Sequence, residues 1–544
     1  MFKYIHGYHP ATINAFIKSG LLREQDGLKL FQGKTLSPEM NFNVLAAKNS
    51  ELYNIIKERR CPFYVDRLQG GTFIDDYEYD LNLVDEYLNL LGNDFLGFQM
   101  HEWISNYHTD LEKIIDNHCP DWTKHDIADT INKRYNTAFI YLESMTLDEI
   151  TDFGKPESLS QFLSNLEYLY QKRQKQLKGL VFPCDSVSLS FPISLKCGSR
   201  FLMAEIGAQS PDTRVQVAFA RGMAKAYGVP FGTYYEPWGG KPFSACLYKA
   251  DGISEWGKLE EANFPFKTSG GNGGSSRSLQ RRMHLYSFMA GADFMSEEWG
   301  MCNTFYDWKD FELTPYGKIK KDFLDFTDKY SDIGTPVIPI AFVLPKEFTV
   351  WEDTYSEIPY VSGFMNNGEY AEKLKKARAA AKKIFRDGTE MHGDEINSLR
   401  NCYTFDAVDI VTEDVIKTND YKYLIDLTGN ASFADKNKEK IIDEEEVLRI
   451  LEKELPCTVS GGATKQLTRN EKGEYYLCLM NNQGITRSVS EGEKSLSDCA
   501  ITVTVNIKNG RQLNCLEGGG KIKHFDGNNY FVAIPAGDFF FAKF

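Results

Sequence analysis

Four glutamates lie at or near the ends of predicted β-strands, and carboxylates in that position are the clearest source of chemistry in this sequence. They are Glu102, Glu205, Glu236 and Glu298. Several carboxylates brought to one place repel each other unless they are protonated, paired or used in a reaction. Cleavage of a glycosidic bond uses two of them, one to donate a proton and one to attack carbon or activate water. The sequence therefore predicts a carboxylate-based active site.

Glu236 lies in the stretch that indicates this site most directly, FGTYYEPWGG. Phe, Thr and Tyr favour extended backbone, and Pro237 followed by two glycines ends the strand. The pattern places a carboxylate at a strand exit between Tyr235 and Trp238. Aromatic rings beside a carboxylate suit the binding of a sugar ring.

Further polar and aromatic residues follow the other predicted strands and are candidates to contact a substrate. Glu205 and Glu298 are predicted to bind substrate hydroxyls or to tune the catalytic groups. The complete set predicted to bind substrate is Asp66, Arg67, His101, Trp103, Glu205, Tyr235, Trp238, Glu298 and Trp299.

The elements that must position these residues are short apolar runs, which alternate with longer amphipathic segments up to about Tyr330. This alternation is typical of β/α units and a parallel sheet. The eight predicted strands are Lys3–His9, Gly27–Gln32, Pro62–Arg67, Phe95–Trp103, Leu180–Ser186, Arg200–Gly207, Phe231–Trp238 and Ala292–Trp299. Eight strands predict a (β/α)8 TIM barrel over residues 1–332, whose active site lies at the C-terminal ends of the strands.

The strand count has one alternative. The segment from Asn106 to Gly179 is longer than one crossover needs, and AFIYLES, Ala138–Ser144, also has the composition of a strand. If AFIYLES belonged to the barrel, the run at Gly27 would be only a hairpin. Glu143 would then replace Glu102 as the candidate catalytic residue.

The pattern changes twice after the predicted barrel. Residues 333–456 combine apolar strands such as TPVIPIAFVLP with helical segments such as AEKLKKARAAAKKIF, which predicts a smaller α/β domain. Residues 457–544 consist of short strands separated by turns, which predicts a β-sandwich.

Composition restricts the possible partners and the compartment. A chain of 544 residues with a formal net charge of -14 lacks the basic balance that nucleic-acid binding usually requires. The 11 cysteines form no CxxC pair, which favours a reducing compartment over a disulfide framework. No signal-like N-terminus or long apolar run is evident, so we expect a soluble, cytoplasmic protein with neither a membrane nor a nucleic-acid partner.

Other chemistries have weaker support in the residues. His6 and His9 are the only close histidine pair at a strand exit, and no HExxH spacing occurs, so no metal ion or other cofactor is predicted. There is no GxSxG motif for a serine nucleophile. The glycine-rich run within Thr268–Ser278 lacks the Lys-Ser/Thr of a phosphate loop and is interpreted as a mobile loop of the barrel.

Three segments resemble the β-galactosidases of glycoside hydrolase family 42, within clan A. They are FLGFQMHEW, PDTRVQVAFARGMAKAYGVPFGTYYEPW and SLQRRMHLYSFMAGADFMSEEW. The resemblance implies that Glu102 is the general acid/base, at the end of the fourth strand, and Glu236 the nucleophile, at the end of the seventh. His101 stands where that family has an asparagine that usually holds the sugar 2-hydroxyl, so the identity of the sugar stays open.

The resemblance also implies a layout and a mechanism. It identifies the α/β domain at 333–456 as flavodoxin-like and suggests a homo-oligomer, a trimer as in that family. The implied activity is that of a retaining glycosidase. A β-galactosidase-like exo-glycosidase acting on an oligo- or polysaccharide-derived glycoside is one form that this activity could take. The alternative is a non-catalytic carbohydrate-binding or scaffold protein on a decayed barrel, which would bind glycosides without turning them over.

Overall fold

The fold is taken from a computed structural model of the chain. The structure describes residues 2–8, 12–31, 42–66, 68, 78–104, 158–207, 212–237, 275–298, 304–305, 310–346, 368–393, 396, 398–488, 492–508 and 510–544. Arg67, Glu143, Trp238, Trp299, His9 and the glycine-rich run up to residue 274 lie outside these ranges.

Eight parallel strands close into a barrel in the order in which they occur in the chain. They are β1 (Lys3–Tyr8), β2 (Gly27–Phe31), β3 (Phe63–Asp66), β4 (Phe95–His101), β5 (Val181–Asp185), β6 (Leu202–Gly207), β7 (Phe231–Glu236) and β8 (Phe294–Glu297). β8 pairs with β1, which completes the ring. All eight predicted strands are confirmed to within a few residues, and so is the barrel.

The barrel also decides between the two strand counts. β2 pairs with β1 on one side, where Leu28 lies opposite His6, and with β3 on the other, where Leu28 lies opposite Phe63. The run at Gly27 is therefore a barrel strand, and the alternative in which AFIYLES took its place is wrong. Glu102 directly follows β4, and Glu236 ends β7.

The barrel interior is a packed core with a polar upper end. Its apolar part consists of Ile5, Tyr64, Phe182, Cys184, Phe201, Met203, Tyr234 and Phe294, all buried. Successive residues of a strand point to opposite faces, so the alternate positions pack outward against the helices. The inward-facing positions beyond this core, toward the strand ends, are polar, and they form the floor and wall of the mouth.

The helices follow the strands around the barrel and continue beyond it. They are α1 (Ile13–Lys18), α2 (Phe42–Leu45), α3 (Glu51–Arg59), α4 (Leu81–Leu91), α5 (Leu159–Gln176), α6 (Ser190–Lys196), α7 (Thr213–Tyr227), α8 (Arg277–Met289), α9 (Pro315–Lys329), α10 (Gly368–Ala381), α11 (Ala431–Asn437) and α12 (Val447–Glu454). Six of these helices are capped at the N-terminus by a side chain that accepts a backbone N–H, namely that of Ser50, Asp80, Ser158, Ser276, Thr314 or Asn430. Among the described helices, none has the length and apolar character needed to cross a lipid bilayer.

Additional sheets follow the barrel. β10 (Ile340–Leu344) lies between β11 (Val408–Thr412) and β12 (Tyr423–Asp426) in a three-stranded parallel sheet. The remaining strands are β9 (Thr335–Pro336), β13 (Cys457–Ser460), β14 (Thr464–Arg469), β15 (Tyr475–Met480), β16 (Ile485–Ser488), β17 (Gly492–Ser495), β18 (Ile501–Ile507), β19 (Asn514–Glu517), β20 (Lys521–Asp526), β21 (Asn529–Ile534) and β22 (Phe539–Lys543). They form two antiparallel sheets, with the orders β13-β18-β21-β20 and β19-β22-β15-β14-β9, and a hairpin in which β16 pairs with β17.

Helix α7 joins the barrel to the three-stranded sheet, and the residues of its AFARG run explain why. Arg221 donates from Nε to Asp409 Oδ1 at 2.5 Å, and both side chains are buried. Gly222 lies against β11 so closely that an added Cβ would be 2.2 Å from the carbonyl oxygen of Ile410. The arginine and the glycine of this run therefore serve the contact between α7 and β11, while α7 leads into β7 and so toward Glu236.

Candidate active site

Three strand ends bring one histidine and three glutamates together at the barrel mouth. Nε2 of His101 lies 3.6 Å from Glu205 Oε1, 3.6 Å from Glu298 Oε1 and 3.8 Å from Glu102 Oε2. His101, Glu205 and Glu298 are buried and come from or directly follow β4, β6 and β8. Alternate strands supply the side chains of one layer in a barrel of this kind. The predicted convergence of these residues at one mouth is therefore observed.

Glu102 departs from the alternation of its strand. After inward-facing His101 it would point outward, but its backbone has φ +44°, a left-handed conformation that is uncommon for a residue with a side chain. The Glu102 N–H donates to the carbonyl of Cys184 at 2.7 Å. The turn keeps the carboxylate at the mouth beside His101, with 40% of the side chain exposed. Strained backbone of this sort is often held at functional positions.

Asp185, at the end of β5, holds the turn that carries Glu102. Its two carboxylate oxygens accept the backbone N–H of Ile104 at 3.1 Å and of Val187 at 2.8 Å. Burial raises the pKa of Asp185 to about 8, with the charge of Glu102 adding to the effect while the backbone N–H groups oppose it. Asp185 touches the loop rather than the open mouth, so it is a positioning residue.

Glu236 is half-buried and ends β7, which pairs with β6. It pairs with Gly207, two residues beyond Glu205, and an added Cβ at Gly207 would lie 2.6 Å from the Glu236 carbonyl oxygen and 3.2 Å from its Oε2. The absence of a side chain at Gly207 therefore leaves room for the Glu236 carboxylate at the mouth.

The floor of the mouth is an ion pair between Lys29 and Asp66, of which the sequence analysis singled out only Asp66. Lys29 Nζ contacts Asp66 Oδ2 and donates to the hydroxyl of Tyr234 at 3.2 Å and to the Glu297 carbonyl at 2.8 Å. The Tyr234 hydroxyl donates to Asp66 Oδ2 at 3.0 Å. Asp66 was predicted to bind substrate, but it is fully buried within this network. The sequence holds a signal for Lys29, since a lysine between two leucines of a barrel strand needs a partner if it is buried.

Two of the predicted aromatic contacts require correction. Trp103 is fully buried with its ring 5.1 Å from that of Tyr170, and Tyr235 is fully buried with its hydroxyl bonded to Ser275. Tyr235 precedes inward-facing Glu236, so alternation directs it outward into the helical layer, where it packs near His284. Both rings stabilise the wall behind the mouth and have no exposed face for a sugar. Arg67, Trp238 and Trp299 lie outside the described residues, and their predicted roles stay predictions.

Glu297 precedes Glu298 but points the other way, into the outer layer. His284 Nε2 lies 3.0 Å from its Oε1, and Lys320 Nζ lies 2.7 Å from its Oε2. Burial favours the protonated form of Glu297, but Lys320 and His284 outweigh it and lower its pKa to about 2. This ion pair fixes the end of β8 against α8 and α9, and so fixes the residue that follows.

His6, one of the two histidines considered for a metal ion, does not lie at the mouth. His6 is buried in the outer layer, with Nε2 3.7 Å from Asp26 Oδ2 and its ring 5.2 Å from that of Phe16. Burial lowers the pKa of His6. Within the described part of the chain, the group of ligand-type side chains that do converge is His101, Glu205 and Glu298, with one ligand atom each within 4.8 Å of the others.

Comparisons with known proteins do not add to this picture. No protein-family model and no curated protein matches the chain. In structure the chain is similar to thiamine phosphate pyrophosphorylase from Pyrococcus furiosus, with 11% sequence identity, coverage of 59% of this chain and 96% of that chain, and a TM-score of 0.25. A TM-score this low carries no argument. The barrel therefore rests on its strand pairing, and the resemblance to glycoside hydrolases is carried forward only as a proposal.

Proposed function

We propose that the protein is a glycoside hydrolase that uses a retaining mechanism with two carboxylates. The observation that carries the proposal is the position of Glu102 after β4 and of Glu236 at the end of β7, on the same mouth of one closed barrel. The accessible side chain of Glu102 and its strained backbone are further support. The sequence resemblance supports the same two residues.

The proposed reaction has two steps. Glu236 attacks the anomeric carbon while Glu102 donates a proton to the leaving oxygen, so that the glycosidic C–O bond breaks and a glycosyl-enzyme ester forms. Glu102 then removes a proton from water, the water oxygen attacks the same carbon, and the Glu236 carboxylate is released. Retention requires the two carboxyl groups to lie about 5–5.5 Å apart when substrate is bound.

The sequence resemblance also suggests a substrate class. The resemblance favours a β-galactosidase-like exo-glycosidase that removes a sugar from an oligo- or polysaccharide-derived glycoside. His101 in place of the family's asparagine leaves the sugar open. The same resemblance favours a homotrimer, which light scattering of the purified chain would test.

A panel of nitrophenyl glycosides tests the proposal directly. We expect turnover of at least one glycoside, its loss in Glu236→Ala, and partial rescue by azide, which replaces the missing nucleophile and gives a glycosyl azide of inverted configuration. The matched control is Glu58→Gln, an exposed carboxylate on α3 that should leave turnover unchanged. Saturable binding without turnover of any glycoside would instead favour a carbohydrate-binding or scaffold protein.

A further inference from the structure

We propose that His101, Glu205 and Glu298 form a binding site for one divalent metal ion. The separations from His101 Nε2 to the two glutamate oxygens are both 3.6 Å. Ions such as Zn²⁺ bind nitrogen and carboxylate oxygen at about 2.0–2.2 Å, so two ligands of one ion lie roughly 3–3.5 Å apart. Direct hydrogen bonds would bring the same atoms to about 2.7–3.2 Å. The observed spacing is closer to that of ligands around a shared ion.

The charges at the mouth favour the same occupant. Glu205 and Glu298 are 1% and 8% exposed, and Glu102 places a third carboxylate beside the same imidazole. One ligand oxygen of Glu205 and one of Glu298 lie within 4.8 Å of each other, and buried carboxylates that close repel strongly because little water screens them. Lys29 is engaged one layer below by Asp66, Tyr234 and a backbone carbonyl. A divalent cation bound by Glu205 and Glu298 would reduce this repulsion.

A second histidine and glutamate pair in the same barrel provides a contrast. His284 and Glu297 lie at hydrogen-bond distance, 3.0 Å, and Lys320 completes the charge balance at 2.7 Å from the same carboxylate. That arrangement is an ion pair with direct hydrogen-bond distances in the outer layer. In the cluster at the mouth, two buried carboxylates lie around one imidazole at the wider spacing of 3.6 Å, beside the partly exposed side chain of Glu102.

The ligand set indicates which ion would bind. One imidazole nitrogen and two carboxylate oxygens suit Mn²⁺ or Zn²⁺, whereas Ca²⁺ usually takes six to eight oxygen ligands. Three protein ligands leave open positions, as metal sites that bind substrate do. We assign these positions to two neighbouring hydroxyls of the sugar. This role rests on the proposed function, but the metal site itself does not.

Mn²⁺ binding to the full chain is the first test. Mn²⁺ is the better probe because the 11 cysteines offer thiolates that would also bind Zn²⁺. Calorimetric titration of the chelator-treated protein should show one site per chain. Loss of a group that only orients a ligand weakens metal binding by about 10- to 100-fold, so Glu205→Gln, which removes a ligand, should cost at least that much. Absence of Mn²⁺ binding by the wild-type chain, or unchanged affinity in this variant, would overturn the proposal.

Thermal unfolding separates loss of a ligand from loss of the fold. Without metal, Glu205→Gln removes one of two neighbouring buried carboxylates, so its melting temperature should not fall below that of the wild type. Mn²⁺ should raise the melting temperature of the wild type but not that of the variant. If Glu205→Gln does not fold, Glu298→Gln serves in its place, because its side chain is 11% exposed and tolerates the change more easily.

Glu236→Gln is the matched control and distinguishes this inference from the proposed function. Glu236 is a carboxylate at the same mouth but comes from β7, an odd-numbered strand, and is not one of the three ligands. This variant should keep the wild-type affinity for Mn²⁺ while losing hydrolysis. Mn²⁺ binding that Glu205→Gln abolishes, in a protein that hydrolyses no glycoside, would support the metal site and reject the glycosidase. Equal loss of Mn²⁺ binding in Glu236→Gln would reject the assignment of the three ligands.

Discussion

At the scale of single residues, the mouth depends on one break in strand alternation. Glu102 reaches His101 only because its backbone adopts φ +44°, and Asp185 accepts the N–H of Ile104 two residues later. The accessible carboxylate is thus held by a buried one. The cost of keeping Asp185 in the interior is visible in its pKa, which burial raises to about 8.

That raised pKa predicts a pH dependence of stability. In the unfolded chain Asp185 titrates near 3.8, so between this value and about 8 the folded protein binds the proton more tightly. Its contribution to the free energy of unfolding should therefore be fully present below about pH 4 and be lost as the pH rises toward 8. Asp185→Asn cannot titrate. The difference between the wild-type and variant curves should change by on the order of a few kcal/mol over this interval.

Urea unfolding of both proteins at several pH values between about 5 and 9 measures this difference, since groups common to both cancel. The variant should also lose kcat more than it changes KM, because an asparagine amide cannot accept both backbone N–H groups and the turn at Glu102 loosens. Stability curves that run parallel over this pH range for the wild type and the variant would contradict a raised pKa of Asp185.

At the scale of elements, the sequence allowed the barrel to be predicted strand by strand but not the grouping of its side chains. Apolar runs ended by Pro, Gly or polar residues mark the eight strands, and parallel topology brings their C-terminal ends together. Which side chains then share a layer depends on register. His101, Glu205 and Glu298 belong together because they come from or directly follow alternate strands, whereas Tyr235 falls on the outer face of β7. Trp103 lies beyond the end of β4 and packs against Tyr170 after the turn at Glu102. The outward packing of Tyr235 depends on the position of each residue in the inward–outward alternation of its strand, and composition does not reveal that position.

The pairing of β6 with β7 makes a prediction at this scale. Gly207→Ala would place a Cβ 2.6 Å from the carbonyl oxygen of Glu236, so the end of β7 must move. A misplacement of about 1 Å at a reacting group costs on the order of 100-fold in rate, and we expect a loss of kcat of this size under the proposed function. Gly232→Ala is the control, since its Cβ would meet Phe294 lower in the barrel, at 2.9 Å from a carbonyl oxygen. It should lower the melting temperature but spare kcat, so equal loss of kcat in both would point to general destabilisation.

At the scale of the whole molecule, the barrel and the three-stranded sheet share a buried polar junction. Arg214 donates to Asp406 at 2.6 Å and Arg221 to Asp409 at 2.5 Å, from positions seven residues apart on one face of α7. Two turns of helix thus carry two buried arginines across to the sheet. The helix that leads into β7 therefore also packs against β11, so the two parts should unfold together.

Removing one charge of this junction tests whether the barrel and the three-stranded sheet unfold together. Arg221→Met leaves the Asp409 carboxylate buried without its guanidinium, and breaking a buried pair in this way costs about 3–5 kcal/mol. Adding Asp409→Asn should recover much of the loss, because the amide carbonyl still accepts the Tyr421 hydroxyl, which lies 2.9 Å from Oδ2. Lys422→Met is the control and should cost only about 0–1 kcal/mol, because the Lys422 side chain is 66% exposed in its pair with Glu454. Urea unfolding of Arg221→Met should show a single transition at a lower urea concentration than in the wild type, because α7 belongs to both parts and its loss of stability affects both. A second transition that stays at the wild-type urea concentration would mean that the barrel is stable without the contact between α7 and the sheet.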